Sequence, residues 1–163
     1  MIKRIIVEGA DQQGKSTLCK ILADRLGWEV KHFGKPSEDF NFIADYIVPE
    51  YTISDRNFLS EIVYSMVKNV KSRAQFMLLD NIFKNKETLL IVMDREDYFV
   101  FDSSRHEDYT YKAIVQAIEL YRKVYRQISF EKIMINPNEG SFLSNVEHII
   151  TKITQANEDI QEP

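Results

Sequence analysis

The chain has 163 residues, enough for one domain with a sizeable core, and its 44% hydrophobic content excludes a disordered polypeptide. A formal net charge of −4 offers no basic surface for nucleic acid, although it leaves a local basic groove open. The one cysteine, Cys19, rules out an internal disulfide, and no apolar run reaches the length of a membrane span. A reduced, cytoplasmic protein with no membrane partner is therefore expected.

Residues 2–7 are rich in β-branched side chains and predict a first strand. The run that follows, Gly9-Ala10-Asp11-Gln12-Gln13-Gly14-Lys15-Ser16, fits G-x-x-x-x-G-K-[ST], the Walker A phosphate-binding loop. Its glycines are needed because backbone N–H groups must close around phosphate oxygens where a Cβ would obstruct them. Lys15 is then predicted to reach the β- and γ-phosphates of ATP, and the Ser16 hydroxyl to ligate Mg²⁺. Gln12, Gln13 and Thr17 complete the donor cradle, and a helix starting near Lys15 turns its positive end towards the same anion. Leu18, Ile21, Leu22 and Leu26 recur at helical spacing, and Gly27 stands where that helix would be capped.

Residues 28–33 alternate apolar and polar and predict a second strand, broken by Gly34-Lys35-Pro36-Ser37. Phe40, Ile43, Ala44 and Ile47 predict a short helix stopped by Pro49, and residues 51–54 a brief strand ending in Asp55-Arg56. Phe58, Ile62, Met66 and Val70 mark a longer helix, and Phe76, Leu79 and Phe83 a further helical run. Residues 88–93, TLLIVM, form the most continuously apolar stretch, as a buried parallel strand requires. After Asp94-Arg95 comes a polar, charged segment to Asp108, predicted to be a lid over about 95–108. Ile114, Ile118, Tyr121, Tyr125 and Ile128 then lie on one helical face. Residues 132–135 predict a last strand, and Phe142, Val146, Ile149 and Ile153 a last helix. The domain is expected to occupy 1–157, with 158–163 as a frayed tail.

Strands alternating with helices predict an α/β fold, a three-layer sandwich around a five-stranded parallel sheet. In such sheets ligands bind beyond the carboxyl ends of the strands, where Asp11, Asp55, Arg56, Asp94 and Arg95 all fall. Phosphoryl transfer needs charge neutralisation, alignment and exclusion of water rather than covalent work by the protein. Asp55 suits Mg²⁺ binding or acceptance of a proton, and Arg56 suits a forked contact with an acceptor phosphate. Arg105, on a closed lid, would cover the phosphates. His32, His106 and His148 lack metal-ligand spacing and read as structural or surface residues.

These residues resemble the thymidylate kinase family of P-loop nucleoside monophosphate kinases, its small phage-type members in particular. Glu8 to Thr17 is similar to that family's E-G-x-D-x-x-G-K-[ST]-[ST] loop, and Asp55 to Tyr64 to its D-R-[YF]-x-x-S-x-x-[AV]-Y segment, with Phe58 one place later than the usual aromatic. The resemblance implies that Asp11 approaches the acceptor sugar, that Arg56 binds acceptor phosphate and that Lys35 is a second phosphate-facing basic residue. It implies a P-loop kinase fold, a small-molecule nucleotide acceptor, ATP and Mg²⁺ as cofactors, a homodimer and, for a phage-encoded member, the host cytoplasm.

Two departures bear on the acceptor. Gln12 stands where some members carry a basic residue, which moves the catalytic positive charge towards Arg105. The stretch from Lys35 to Asp55 is shorter than usual, so base recognition falls to Phe40, Phe42 or the helix at Tyr64 and Lys68. The sequence therefore predicts ATP-dependent phosphorylation of a pyrimidine deoxynucleoside monophosphate, dTMP foremost. A kinase of an unphosphorylated or modified pyrimidine deoxynucleoside, free or in DNA, is the nearest alternative, and a P-loop ATPase or regulatory switch the more distant one.

Overall fold

A computed structural model describes residues 1–34, 47–70, 87–95, 110–128, 131–137 and 142–158. Five strands, β1 (Arg4–Gly9), β2 (Glu29–His32), β3 (Thr52–Asp55), β4 (Thr88–Met93) and β5 (Lys132–Ile135), form one parallel sheet in the order β2-β3-β1-β4-β5. The described helices are α1 (Lys15–Leu26), α2 (Phe58–Val67), α3 (Tyr111–Gln127) and α4 (Phe142–Glu158). The expected helix over 40–47, apart from Ile47, the helical run over 76–83, Lys35 and the lid with Arg105 lie outside the described residues.

Strand alternation divides the core into two halves. Ile6, Leu90 and Val92 point to one face of the sheet, where Phe58, Ile62, Ile114, Ala117 and Tyr121 from α2 and α3 cover them. Ile5, Val7, Leu89, Ile91 and Met93 point to the other, against Leu18, Leu22, Val146, Ile149 and Ile153 from α1 and α4. The result is the three-layer sandwich that the pattern predicts. All six residues of β4 are buried, which is why its sequence is apolar without alternation. Cys19 belongs to the same core, where burial pushes its thiol pKa up and keeps it un-ionised.

Two elements differ from the pattern. All four residues of β2 are exposed, since it is the edge strand and pairs only with β3. Its Glu29, Lys31 and His32 are side chains that discourage pairing with another edge. The helix α2 ends at Val67 rather than Val70, because Asn69 turns to a φ of 52° and the Val70 N–H returns to the Ser65 carbonyl at 2.9 Å. The amino-terminal end of the sheet is closed by ion pairs, Lys3 and Arg4 each meeting Glu50 and Glu87.

The register fixes what meets at the opposite end. Gly9 lies beside Met93, Val7 beside Asp55 and His32 beside Asp55. The carboxyl ends of four adjacent strands thus open on one region. No helix among the described residues is long and apolar enough to cross a membrane.

Candidate active site

The strand–loop–helix passage from β1 to α1 has the backbone that the motif demands. Gly9 has a φ of 139°, and a Cβ there would meet the Met93 carbonyl oxygen at 2.7 Å. Gly14, the N-cap of α1, is left-handed at φ 85°, as is the non-glycine Gln12 at φ 63°. The first turn of α1, with Ser16 and Thr17 exposed, presents its unpaired N–H groups to the open end of the sheet. Lys15 is only 5% exposed and donates from Nζ to the Ala10 carbonyl at 2.6 Å. Burial pulls its pKa down to about 8, against the opposing charges of Asp55 and Glu8.

Ser16 and Asp55, the two residues the sequence offers as metal ligands, lie far apart in sequence and meet in the fold. The Ser16 hydroxyl donates to Asp55 Oδ2 at 2.6 Å, while Asp55 Oδ1 is buried without a hydrogen-bond partner among the described residues. His32 Nδ1 lies 3.1 Å from the same Oδ2. The sequence reads His32 as a structural or surface residue, and it is 60% exposed, with the register of β2 against β3 setting it on Asp55. The strand ending was the available signal. Among the described residues no cluster of three or more His, Cys, Asp or Glu would hold a metal by itself. Mg²⁺ at such sites takes one or two protein ligands and completes its shell with phosphate and water. A hydroxyl beside an unpartnered carboxylate oxygen fits that requirement.

Next to the Ser16–Asp55 pair stands Arg56, whose φ of 68° is unusual for a bulky non-glycine residue. Three bonds hold that turn. The Arg56 N–H donates to the Val7 carbonyl at 2.9 Å, the Arg56 carbonyl accepts from the Ser54 hydroxyl, and Asn57 Nδ2 donates to Ser54 Oγ at 3.2 Å. Asn57 then caps α2, its side-chain oxygen accepting from the Phe58 N–H at 2.9 Å. The turn aims the Arg56 guanidinium at the Asp11 carboxylate, with which it pairs, and places it 5.6 Å from the centre of the Tyr64 ring. The Asp11 N–H donates to the Tyr64 hydroxyl at 3.0 Å. The predicted residues Asp11, Arg56 and Tyr64 therefore form one cluster beside the Ser16–Asp55 pair.

Glu8 joins the two halves and was not singled out by sequence reasoning. Fully buried, its Oε1 accepts the N–H groups of Asn57, Leu59 and Ser60 at 2.8, 3.1 and 3.2 Å. Its Oε2 takes the hydroxyls of Ser60 and Tyr121 at 2.5 and 3.3 Å. One carboxyl at the end of β1 thus satisfies the amino terminus of α2 and ties it to α3. The signal was an acid inside an otherwise apolar strand, which has to find partners when buried. Burial pushes its pKa up from 4.5 to about 7, against the favourable Ser60 bonds and the charges of Arg56 and Lys15.

A folded-state pKa above the unfolded one means the native protein holds the extra proton between pH 4.5 and 7. The contribution is complete below the unfolded value and is lost as pH rises through about 7. Relative to Glu8→Gln, the wild type is expected to lose on the order of 3 kcal/mol across that window. Urea unfolding at a series of pH values measures this directly, and parallel profiles for the two proteins would refute it.

On the other side of the loop, Gln13 Oε1 accepts the Arg95 N–H at 2.6 Å. Asp94, which the strand-end argument placed near the site, is engaged by both Nε and Nη2 of Arg122 from α3, at 2.8 and 2.7 Å. That fork anchors α3 to the end of β4 and occupies the Asp94 carboxylate.

No family model and no curated protein matches the chain. Solved structures do. It is similar to the YorR protein from Bacillus subtilis, determined in complex with phosphorylated GDP, at 20% identity and a TM-score of 0.75, covering 95% of this chain and 98% of that one. It is similar to thymidylate kinase from Ehrlichia chaffeensis at 12% identity and a TM-score of 0.62, covering 93% and 98%. It is also similar to deoxyadenosine kinase from M. mycoides, determined with dCMP and dCDP, at 17% identity and a TM-score of 0.59, covering 94% and 99%. The shared property is the α/β P-loop kinase fold with its five-stranded parallel sheet.

Proposed function

We propose that the protein transfers the γ-phosphoryl group of ATP, with Mg²⁺, to a nucleotide, and that the acceptor is a pyrimidine deoxynucleoside monophosphate, dTMP foremost. The observation that carries this reading is the adjacency of two pairs, Ser16 with Asp55 and Asp11 with Arg56. The first belongs with Lys15 to the donor phosphates, and the second supplies a guanidinium and a carboxylate for the phosphate and sugar of an acceptor. Asp11 and the loop leading to Ser16 follow β1, and Asp55-Arg56 ends the neighbouring β3, so donor and acceptor would be held side by side.

Ser16 and Asp55 would hold Mg²⁺, which would supply charge neutralisation at the transferred phosphate. The chain's own contribution is placement. Lys15 is fixed on the Ala10 carbonyl, and Arg56 is held by a left-handed turn with every polar group of its backbone engaged. Kinases of nucleosides and of nucleoside monophosphates both occur among the similar folds, which supports a nucleotide kinase without separating the two acceptors.

A specific observation favours a second reading. The unpartnered Asp55 Oδ1 is a carboxylate oxygen placed to accept the proton of a hydroxyl acceptor, which a nucleoside needs and an ionised monophosphate does not. Coupled measurement of ADP release across the deoxynucleoside monophosphates and the free deoxynucleosides separates them. Turnover with dTMP supports the leading reading, and turnover with nucleosides alone transfers it to the second. Absence of acceptor-stimulated turnover with every compound would sink both.

A further inference from the structure

Two donors on the β4 side of the phosphate-binding loop are buried and have no acceptor among the described residues: Gln13 Nε2 and Arg95 Nε. Gln13 is 1% exposed, and its Oε1 is already taken by the Arg95 N–H at 2.6 Å, so both donors belong to one docked pair. Among the described residues Arg95 has no carboxylate partner, whereas Arg122 close by forks onto Asp94 and Arg56 pairs with Asp11. Arg95 directly follows Asp94 at the end of β4, and the Met93 carbonyl lies against Gly9, so Arg95 sits alongside the loop itself. A half-buried guanidinium without a counter-ion, next to a buried amide N–H₂ without an acceptor, is a costly arrangement unless a ligand supplies oxygen atoms and negative charge.

We propose that Arg95 and Gln13 form a phosphate-binding contact for the terminal phosphate of the nucleoside triphosphate. Lys15 takes the loop side of that phosphate and the Gln13–Arg95 pair takes the β4 side. This deepens the kinase reading and rests on it. It also bears on the departure at Gln12, where the loop lacks a cation: the missing positive charge is restored from β4, by a residue locked to the loop through Gln13. The Gln13 Oε1 bond fixes the backbone from which the arginine extends, so the two residues act together.

The contact distinguishes a triphosphate from a diphosphate. Calorimetric titration with the β,γ-imido analogue of ATP and with ADP, both with Mg²⁺, compares wild type, Arg95→Ala and Arg95→Lys. Arg95→Ala is expected to weaken the triphosphate analogue at least about tenfold while ADP affinity stays within about twofold, as loss of one charge-assisted contact predicts. Arg95→Lys should recover part of the difference, and millimolar guanidinium added to Arg95→Ala should recover part of it too. A thermal melt of each variant without nucleotide controls for folding. An Arg95→Ala protein with the wild-type ratio of the two affinities overturns this contact and leaves the kinase reading standing. A wild type that binds neither nucleotide overturns both.

Discussion

Lys15→Met is expected to reduce phosphoryl transfer by roughly 10³-fold or more, as removal of a preorganised charge from a phosphate site does. It should do so without loss of fold. The lysine ammonium is buried, with one carbonyl bond from Ala10, and burial holds its pKa at about 8 instead of 10.5. A base with a depressed folded-state pKa binds fewer protons when native, so its stability contribution is lowest below pH 8 and rises with pH between the two values. At pH 7 the buried charge costs on the order of 3 kcal/mol. Methionine keeps the length of the side chain and removes the charge, so the melting temperature at pH 7 without nucleotide should stay the same or rise. Alanine would add a cavity to the loss of charge and confuse the two effects. A Lys15→Met protein with wild-type turnover would remove the loop from the mechanism.

The same substitution separates binding from stability. Wild type should gain melting temperature as Mg²⁺ and ATP are added, because ligand that binds only the native state stabilises it. Lys15→Met should show little of that gain while starting from an equal or higher baseline. Buried polar atoms without partners are destabilising, and among the described residues Asp55 Oδ1, Gln13 Nε2 and Arg95 Nε are such atoms at the same end of the sheet.

What the sequence made legible was local. Gly9 and Gly14 mark a loop whose backbone takes positive φ, and β4 is announced by six consecutive apolar or β-branched residues. Both the loop and β4 sit where the pattern places them. The strand endings at Asp55 and Arg56 were legible for a related reason, since a parallel sheet sends its polar strand-end residues to one edge. The contacts that assemble the site have no period and no spacing. Glu8 binds N–H groups of α2 some fifty residues away, Arg122 crosses from α3 to Asp94, and His32 reaches Asp55 through a strand register. Each is a buried or strand-end polar group whose partner is chosen by the topology, and only the demand for a partner can be read in advance.

Arg56 shows how that demand becomes function. Its left-handed turn would cost on the order of 1–3 kcal/mol if unsupported, and the Val7 carbonyl and Ser54 hydroxyl bonds hold it in place. The guanidinium meets Asp11, which the loop supplies as its counter-ion. An acceptor phosphate would exchange that carboxylate for a doubly charged partner, freeing Asp11 for a sugar hydroxyl. Arg56→Ala is expected to lower kcat/KM for the acceptor by about 10²- to 10³-fold, the range for losing a forked charge-assisted contact and stranding its partner. The ATP dependence should change little, because Lys15, Ser16 and Asp55 do not depend on the Arg56 side chain for their bonds. Arg56→Lys should recover only a small part, since an ammonium cannot reproduce the planar fork. Steady-state kinetics varied in acceptor and in ATP separately checks this. An unchanged acceptor KM and kcat in Arg56→Ala would place the acceptor elsewhere than on the Asp11–Arg56 pair.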